Sequence, residues 1–211
     1  MSFCLILLAA GSSLRFKSNL AKPYHKIGGK TLIEITLKKI ADFKEIKKTI
    51  IVYNKKDLRF LNKIKLENTK LIKGGNTRQD STFKALKYLS KQKGISKVLI
   101  HDAARPNFSR KLMKSIIKNS KKFKTVIPTL KIQDAIKQKY ESSKYEYFVS
   151  KDRRDLFLTQ TPQCYNFKEI YSLHTQNKNK YHDDDFSLMV NLENVKLIDG
   201  EKNNFKITDD T

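Results

Sequence analysis

The chain has 211 residues, a formal net charge of +23 and a hydrophobic fraction of 39%. This length suits one globular domain with its own core, and the 12 Phe and 9 Tyr residues argue against intrinsic disorder. The longest apolar run, residues 3–10, is strand-sized and shorter than the ~18 residues of a membrane span. The N-terminus lacks the features of a signal peptide, and Cys4 and Cys164 match neither a disulfide framework nor a zinc spacing. We therefore expect a single cytoplasmic domain over residues 1–211 with no membrane partner.

The positive charge has two interpretations. It could mark a surface that binds nucleic acid, or it could reflect lysines spread over a solvated surface. The lysines extend from Lys17 to Lys206 without forming one long block, and they fall largely on the exposed faces of predicted helices. We favour the second interpretation and predict no nucleic-acid partner. In either case the positive field raises the local concentration of anions such as triphosphates.

Strand-like and helix-like segments alternate along most of the chain. The predicted strands are residues 3–8, 49–53, 70–72, 98–101, 125–127, 195–198 and 205–208. The predicted helices are residues 31–43, 56–64, 77–91, 109–120, 167–174 and 185–192. This alternation predicts an α/β, Rossmann-like fold with a mostly parallel twisted sheet and helices on both faces.

The stretch at about 131–160 interrupts the alternation. Lys139, Tyr140 and the residues from Tyr145 to Val149 have the pattern of a β-ribbon with polar turns. Such a ribbon is either an excursion of the surface or a protruding dimerisation β-arm, and the pattern alone leaves both open.

In an open α/β sheet, ligands bind at the carboxyl ends of the strands. The turn after the first strand contains the small residues Ala9, Ala10 and Gly11, where backbone amides can approach an anion, and the cations Arg15 and Lys22 follow. The spacing is neither that of a P-loop nor that of a dinucleotide fingerprint. Two such cations suit a transition state in which negative charge builds on phosphate oxygens, although ordinary surface charge would also explain them.

A second turn, after the third predicted strand, places Gly74 and Gly75 before a helix start and Ser81 within its first turns. Backbone amides and the Ser81 hydroxyl could there meet a ribose, a base or a phosphate. A tight turn followed by a capped helix explains the same residues equally well.

The third turn follows the strand at residues 98–101. Asp102 comes at the end of this buried strand, where a carboxylate is costly unless it is hydrogen-bonded or bound to a metal. Mg²⁺ on a triphosphate would explain it, and Arg105 could then hold a second phosphate. We expect His101 to be structural.

Together these turns resemble the 2-C-methyl-D-erythritol 4-phosphate cytidylyltransferase family. The matching segments occur in family order over nearly the whole chain. They are Leu8-Ala-Ala-Gly11 with Arg15 and Lys22, Gly74-Gly75 with Arg78 and Ser81, His101-Asp-Ala-Ala-Arg-Pro106, Asp152-Arg153, Gln160-Thr-Pro-Gln163, Asp184-Asp185 and Asn204-Phe-Lys-Ile-Thr208. The first motif is shared by many sugar-phosphate nucleotidyltransferases, whereas the Asp-Ala-Ala-Arg-Pro and Thr-Pro-Gln elements are more specific.

The resemblance implies that methylerythritol phosphate attacks the α-phosphorus of CTP, with Mg²⁺ as cofactor and pyrophosphate as leaving group, in non-mevalonate isoprenoid biosynthesis. The implied catalytic residues are Arg15 and Lys22. The implied CTP-binding residues are Ala9, Ala10, Gly11, Gly75, Ser81 and Asp102, with Asp102 also near the metal. The implied substrate-binding residues are Arg105, Arg153, Thr161 and Lys206. Arg153 is expected from the partner subunit, which favours a homodimer built through the arm.

Three positions depart from the family pattern. Ala21 and Pro23 flank Lys22, Ala135 replaces the usual Thr after Asp134, and residues 182–186 read His-Asp-Asp-Asp-Phe. Because the change at Ala135 removes a hydroxyl contact to the polyol, a cytidylyltransferase acting on another polyol phosphate, such as ribitol 5-phosphate, is an alternative. A basic RNA-binding module is a third, and it predicts aromatic platforms among basic residues on a sheet face.

Overall fold

The structure is a computed structural model. It describes residues 1–11, 21–64, 68–141, 145–178, 182–189 and 193–208. The strands are β1 Phe3–Ala9, β2 Lys26–Ile27, β3 Lys30–Thr31, β4 Ile46–Tyr53, β5 Thr69–Lys73, β6 Lys97–Asp102, β7 Thr125–Lys131, β8 Ile136–Glu141, β9 Glu146–Lys151, β10 Phe157–Thr159, β11 Gln163–Asn166 and β12 Val195–Asp199. The α-helices are α1 Leu32–Ile40, α2 Leu58–Leu61, α3 Arg78–Leu89, α4 Arg110–Ser120 and α5 Phe167–Gln176, and the 3₁₀ helices are Lys22–Tyr24, Lys55–Asp57 and Phe186–Leu188.

One large mixed sheet organises the described residues. Its order is β10-β7-β11-β6-β1-β4-β5, and β12 pairs with residues 125–129 of β7. The pairs β1–β4, β1–β6, β4–β5 and β7–β12 are parallel, whereas β10 and β11 run antiparallel to their neighbours. The predicted α/β fold with a mostly parallel sheet is therefore confirmed. It now includes two short antiparallel strands that the sequence pattern did not predict.

The central strand β1 is buried on both faces. Leu7 belongs to one core cluster with Ile33 of α1 and Met113 of α4, and Ile6 belongs to a second cluster with Leu86 of α3. Side chains of a strand point alternately to opposite faces. This arrangement therefore places α1 and α4 on one face of the sheet and α3 and α5 on the other, as predicted.

Helix boundaries follow from capping side chains. Thr31 caps α1 in a capping box with Glu34, and Thr77 caps α3 in the same way with Asp80. Ser109 caps α4, as its position in the sequence predicts. No helix within the described ranges is both long and apolar enough to cross a bilayer.

Several predicted elements need correction. The predicted helix at 56–64 is a 3₁₀ turn followed by the four-residue α2, and the predicted helix at 185–192 is a 3₁₀ turn at Phe186–Leu188, with residues 190–192 outside the described part. The predicted strand at 205–208 is wrong, because this segment pairs with no strand among the described residues. Instead, its Ile207 N–H donates to the Ala104 carbonyl in the turn after β6 at 2.9 Å, and its Thr208 carbonyl accepts from Lys22.

The segment at about 131–160 contains a two-stranded antiparallel ribbon of β8 and β9, which forms its own sheet. The ribbon contains fewer residues than predicted, because residues 157–159 form β10 and pair with β7 of the main sheet. All residues of β9 are exposed. Dimerisation through this ribbon stays a prediction.

Candidate active site

A pocket of about 610 Å³ lies at the carboxyl ends of the parallel strands β6, β1, β4 and β5. It brings together most of the residues that the sequence predicts for the site. They are Ala9, Ala10, Gly11, Lys22, Gly75, Ser81, Asp102 and Lys206. The pocket is also lined by residues to which no sequence pattern gives a role, namely Asn54, Asn76, Thr77 and Arg78.

The first two turns lie against each other, and glycine makes this approach possible. A Cβ on Gly74 would lie 2.5 Å from the Cβ of Ala10, and one on Gly75 would lie 2.2 Å from the Cβ of Asp80. The Gly75 N–H donates to the Ser81 hydroxyl at 3.1 Å. The turn is therefore both the start of a capped helix and a wall of the pocket.

Lys22 lies at the start of the 3₁₀ helix Lys22–Tyr24, in which Pro23 is buried. Its ammonium group donates to the carbonyl of Thr208 in the C-terminal segment. The departure at Pro23 is thus built into the turn that presents Lys22 to the pocket. Arg15, the other predicted catalytic cation, lies outside the described residues.

Asp102 ends β6 and faces the pocket between two cations. Its Oδ1 accepts from Arg78 Nε at 3.2 Å, and its Oδ2 lies 3.0 Å from Lys206 Nζ. Burial by itself raises the pKa of the Asp102 carboxyl, but the charges of Arg78 and Lys206 outweigh burial and hold it well below its usual range. Asp102 is therefore ionised at neutral pH, and the two cations offset the cost of burying its charge.

Next to Asp102, the side chains of Thr161 and His101 are buried and hydrogen-bonded to each other. Thr161 Oγ1 accepts from the Asp102 N–H at 3.0 Å and lies 3.0 Å from His101 Nδ1. The other ring nitrogen, Nε2, lies 3.1 Å from the Arg105 carbonyl. Thr161 and Arg105 are thus next to the pocket rather than among the residues that line it, and His101 has the structural role expected for it.

The C-terminal segment is held by the same turn. Arg105 Nη1 donates to the Asn204 carbonyl at 2.8 Å, and the Asn204 side chain donates to the Thr161 carbonyl at 2.9 Å. Asn204 is completely buried. These bonds fix the backbone two residues before Lys206 and so deliver its ammonium group to Asp102.

Arg153 is not brought to this pocket by its own chain. It follows β9 on the ribbon, is exposed, and donates to the Gln133 carbonyl. Ala135 is exposed at the base of the same ribbon. Neither residue is among those that line the pocket.

A pH effect on stability follows from His101. Burial lowers the pKa of its imidazole to about 4, against about 6.5 in an unfolded chain. Between these values the unfolded chain binds a proton that the folded protein excludes, so stability falls as the pH decreases from 6.5 to 4 by about 3 kcal/mol from this residue.

We expect His101→Gln to be less stable at neutral pH and to lose this pH dependence. Urea unfolding of the native protein and of His101→Gln at a series of pH values between 4 and 7 checks it. Their difference isolates His101 from other titrating groups. A native stability curve that runs parallel to that of His101→Gln would contradict the expectation.

Comparisons with known proteins agree with this geometry. The family model described as IspD: 2-C-methyl-D-erythritol 4-phosphate cytidylyltransferase matches residues 3–211. The bifunctional enzyme IspD/IspF of Pelagibacter ubique is 39% identical over 209 residues, which are 99% of this chain and 55% of that relative. The 2-C-methyl-D-erythritol 4-phosphate cytidylyltransferase of Clostridium botulinum is 32% identical over 212 residues, covering 97% of this chain and 91% of the relative.

Among solved structures, the 4-diphosphocytidyl-2C-methyl-D-erythritol synthase of Anaerococcus prevotii is similar, with a TM-score of 0.80 and 32% identity. The match covers 98% of this chain and 90% of that one. The chain spans about half the length of the bifunctional relatives, 55% for Pelagibacter ubique and 54% for Tropheryma whipplei.

Proposed function

The chain belongs to the 2-C-methyl-D-erythritol 4-phosphate cytidylyltransferase family, and we propose that it transfers the cytidylyl group of CTP to methylerythritol 4-phosphate. The observation that carries this proposal is the pocket itself. It combines a backbone turn of small residues at Ala9 to Gly11, the cations Lys22 and Lys206, and the ionised Asp102. This set suits a bound nucleoside triphosphate.

The reaction requires charge stabilisation more than proton transfer. An oxygen of the polyol phosphate attacks the α-phosphorus of CTP, and the bond from that phosphorus to the β-phosphate oxygen breaks as pyrophosphate leaves. The attacking phosphate monoester is already anionic, so no side chain has to act as a strong general base. Lys22, with Arg15 from the preceding segment, would stabilise the negative charge that builds on the transferred phosphoryl group.

Mg²⁺ is part of this proposal. No group of three or more His, Cys, Asp or Glu side chains that could hold a metal ion occurs within the described ranges, so the donor set would be the Asp102 carboxylate and triphosphate oxygens. One carboxylate with substrate phosphates is a usual Mg²⁺ environment, and Asp102 has lone pairs beyond those that accept from Arg78 and Lys206. The ion would neutralise charge on the leaving pyrophosphate.

The polyol phosphate would bind beside the triphosphate, near Arg105, Thr161 and Lys206. The Nε of Arg105 is buried and makes no hydrogen bond within the described part of the chain, so it is a donor without a protein partner there. Arg153 would come from a second copy of the chain. Exposed aromatic side chains on the ribbon, including Tyr145 at 65% and Phe148 at 64%, support a second copy covering that surface.

We also propose that the protein acts in the cytoplasm. Cys4 and Cys164 are both free and buried, and burial raises the pKa of each thiol to about 12. Unpaired thiols of this kind suit a reducing compartment.

A substrate panel tests the proposed activity. The protein is incubated with Mg²⁺, each of the four nucleoside triphosphates in turn, and either methylerythritol 4-phosphate or ribitol 5-phosphate, while pyrophosphate release is followed. We expect turnover with CTP and methylerythritol 4-phosphate. Turnover with ribitol 5-phosphate alone would transfer the assignment to another polyol phosphate, and no turnover with CTP and either polyol would reject it.

Hybrid dimers test the shared site. Lys22→Ala and Arg153→Ala are each expected to be inactive, whereas an exchanged mixture should regain about a quarter of the native activity, because half of the dimers are mixed and each contains one intact site. The mixture is assayed for pyrophosphate release after native mass spectrometry has verified subunit exchange. Mixed dimers without activity would indicate that each site is built within one chain.

A further inference from the structure

A series of hydrogen-bonded polar side chains connects the pocket to the interior of the protein. Arg78, at the start of α3, contacts Asp102 through Nε at 3.2 Å and Asp185 through Nη1 at 2.6 Å. The other oxygen of Asp185 lies 2.9 Å from Nε2 of His174 on α5. Asp185 and His174 are each 1% exposed. Neither lines the pocket, and the contact between Asp185 and Arg78 links them to it.

The carboxylate of Asp185 contacts Arg78 and His174 rather than the backbone of its own turn. Asp185 precedes the 3₁₀ helix Phe186–Leu188, and its side chain makes no capping hydrogen bond there among the described residues. The neighbouring Asp184 does the local work instead, since it accepts from the N–H and hydroxyl of Ser187 at 2.9 and 2.8 Å and from Thr159 at 3.0 Å. The two adjacent aspartates thus have different partners and different roles.

Arg78 contacts both carboxylates at once. A guanidinium group facing a single carboxylate tends to form two parallel hydrogen bonds with it. Here Arg78 donates through Nη1 to Asp185 and through Nε to one oxygen of Asp102, whose other oxygen lies 3.0 Å from Lys206 Nζ. The Asp102 carboxylate is therefore fixed between two cations from different parts of the chain.

The orientation of the His174 ring is set by its packing against an aromatic side chain. It stacks on Phe83 of α3, with ring centroids 6.4 Å apart and an interplanar angle of 13°. Phe83 is on the same helix as Arg78, so the contact between α3 and α5 aligns the imidazole with Asp185 while it sets the position of Arg78. Nε2 can then donate to Asp185 along a fixed direction.

From this geometry we propose that His174 and Asp185 are positioning residues, which orient the guanidinium of Arg78 and through it the carboxylate of Asp102 in the nucleotide pocket. The inference rests on the proposed cytidylyl transfer. Without the Asp185 charge, Arg78 can turn to form a two-point contact with Asp102 and compete with Lys206 for it. The four groups Arg78, Lys206, Asp102 and Asp185 have no net charge together, so loss of one carboxylate leaves a net positive charge that does not oppose an anionic nucleotide.

A kinetic split tests the proposal. We expect Asp185→Asn to lower kcat at least about tenfold, because Arg78 and Asp102 lose their alignment. The KM for CTP should stay at or below the native value, because the positive charges that attract the triphosphate remain. His174→Leu should have the same effect. His174→Gln, which can place an amide N–H near the position of Nε2, should retain kcat within about threefold of native.

A stability control separates alignment from folding. Ile170→Val removes one methylene from a buried side chain of the same helix α5. It should lower the melting temperature and leave both kcat and KM at native values when all proteins are assayed well below their melting temperatures. Native kcat in both Asp185→Asn and His174→Leu, or a raised KM with unchanged kcat, would overturn the proposal.

A second readout needs no substrate and so does not depend on the proposed function. The side-chain Nε–H of Arg78 should give a resolved, exchange-protected ¹⁵N–¹H resonance in the native protein and in His174→Gln. In Asp185→Asn and His174→Leu it should broaden or lose its protection. An unchanged resonance in both variants would show that Arg78 is held without these residues. Absence of pyrophosphate release by the native protein with CTP and either polyol phosphate would instead reject the proposed transferase activity.

Discussion

Lys22→Ala is expected to lower kcat for the proposed cytidylyl transfer by at least ~100-fold, the scale of removing one donor that stabilises a transition state. Lys22 lines the pocket together with the turn after β1, and its ammonium group reaches the C-terminal segment at the carbonyl of Thr208. Negative charge on the transferred phosphoryl group grows as pyrophosphate departs. A fixed cation therefore stabilises the transition state more than the bound substrate, and kcat should fall more than KM rises.

Matched lysines are available as controls. Lys26 and Lys30 are exposed in the short hairpin of β2 and β3, a few residues along the chain. Their replacement by alanine removes the same charge from the protein without touching the pocket, so kcat should stay within about twofold of native. Steady-state pyrophosphate release is measured for all three variants. Equal kcat values for Lys22→Ala and Lys26→Ala would mean that Lys22 contributes only surface charge.

Asp102→Asn is expected to reduce kcat/KM by about 100-fold or more and to destabilise the folded protein. The substitution preserves size but replaces an anion that faces Arg78 and Lys206 with a neutral amide. Breaking a buried pair by removing one partner costs about 3–5 kcal/mol. The cost here should be nearer the lower end, since Arg78 keeps Asp185 and Lys206 is 43% exposed. The proposed protein ligand of Mg²⁺ is lost as well.

Asp57 is a control with similar burial. It is 8% exposed, as is Asp102, and it ends the 3₁₀ helix Lys55–Asp57 immediately before α2 without lining the pocket. Asp57→Asn should retain native kcat/KM. Kinetics are paired with urea unfolding, and the Mg²⁺ concentration that gives half-maximal activity is measured for each variant. Asp102→Asn with native kcat/KM and native Mg²⁺ dependence would remove Asp102 from the site.

The centre of the fold was predictable because its signals are local. The nearly continuous apolar runs that form β1, β4 and β6 are typical of parallel strands buried on both faces. Once these strands are assigned, the carboxyl-end rule brings their following turns together. The sequence therefore predicts the pocket residues Ala9, Lys22, Gly75 and Asp102.

What escaped prediction depends on distant partners. β11 enters the sheet between β6 and β7 as four residues without a long apolar run. The segment at 205–208 alternates like a strand, yet its backbone hydrogen-bonds to the turn after β6 and to Lys22. Arg78 has partners 24 and 107 residues away in sequence, at Asp102 and Asp185, and no local spacing indicates that these three side chains meet.

The central claim is that the pocket directs attack to the α-phosphorus of CTP, and the fate of labelled phosphate tests it most directly. The protein is incubated with Mg²⁺, methylerythritol 4-phosphate and CTP labelled with ³²P at either the α or the γ position, and products are separated. The account predicts that the α label enters a diphosphocytidyl polyol and that the γ label leaves in pyrophosphate. Transfer of the γ label to the polyol, or retention of both labels in CTP, would contradict it.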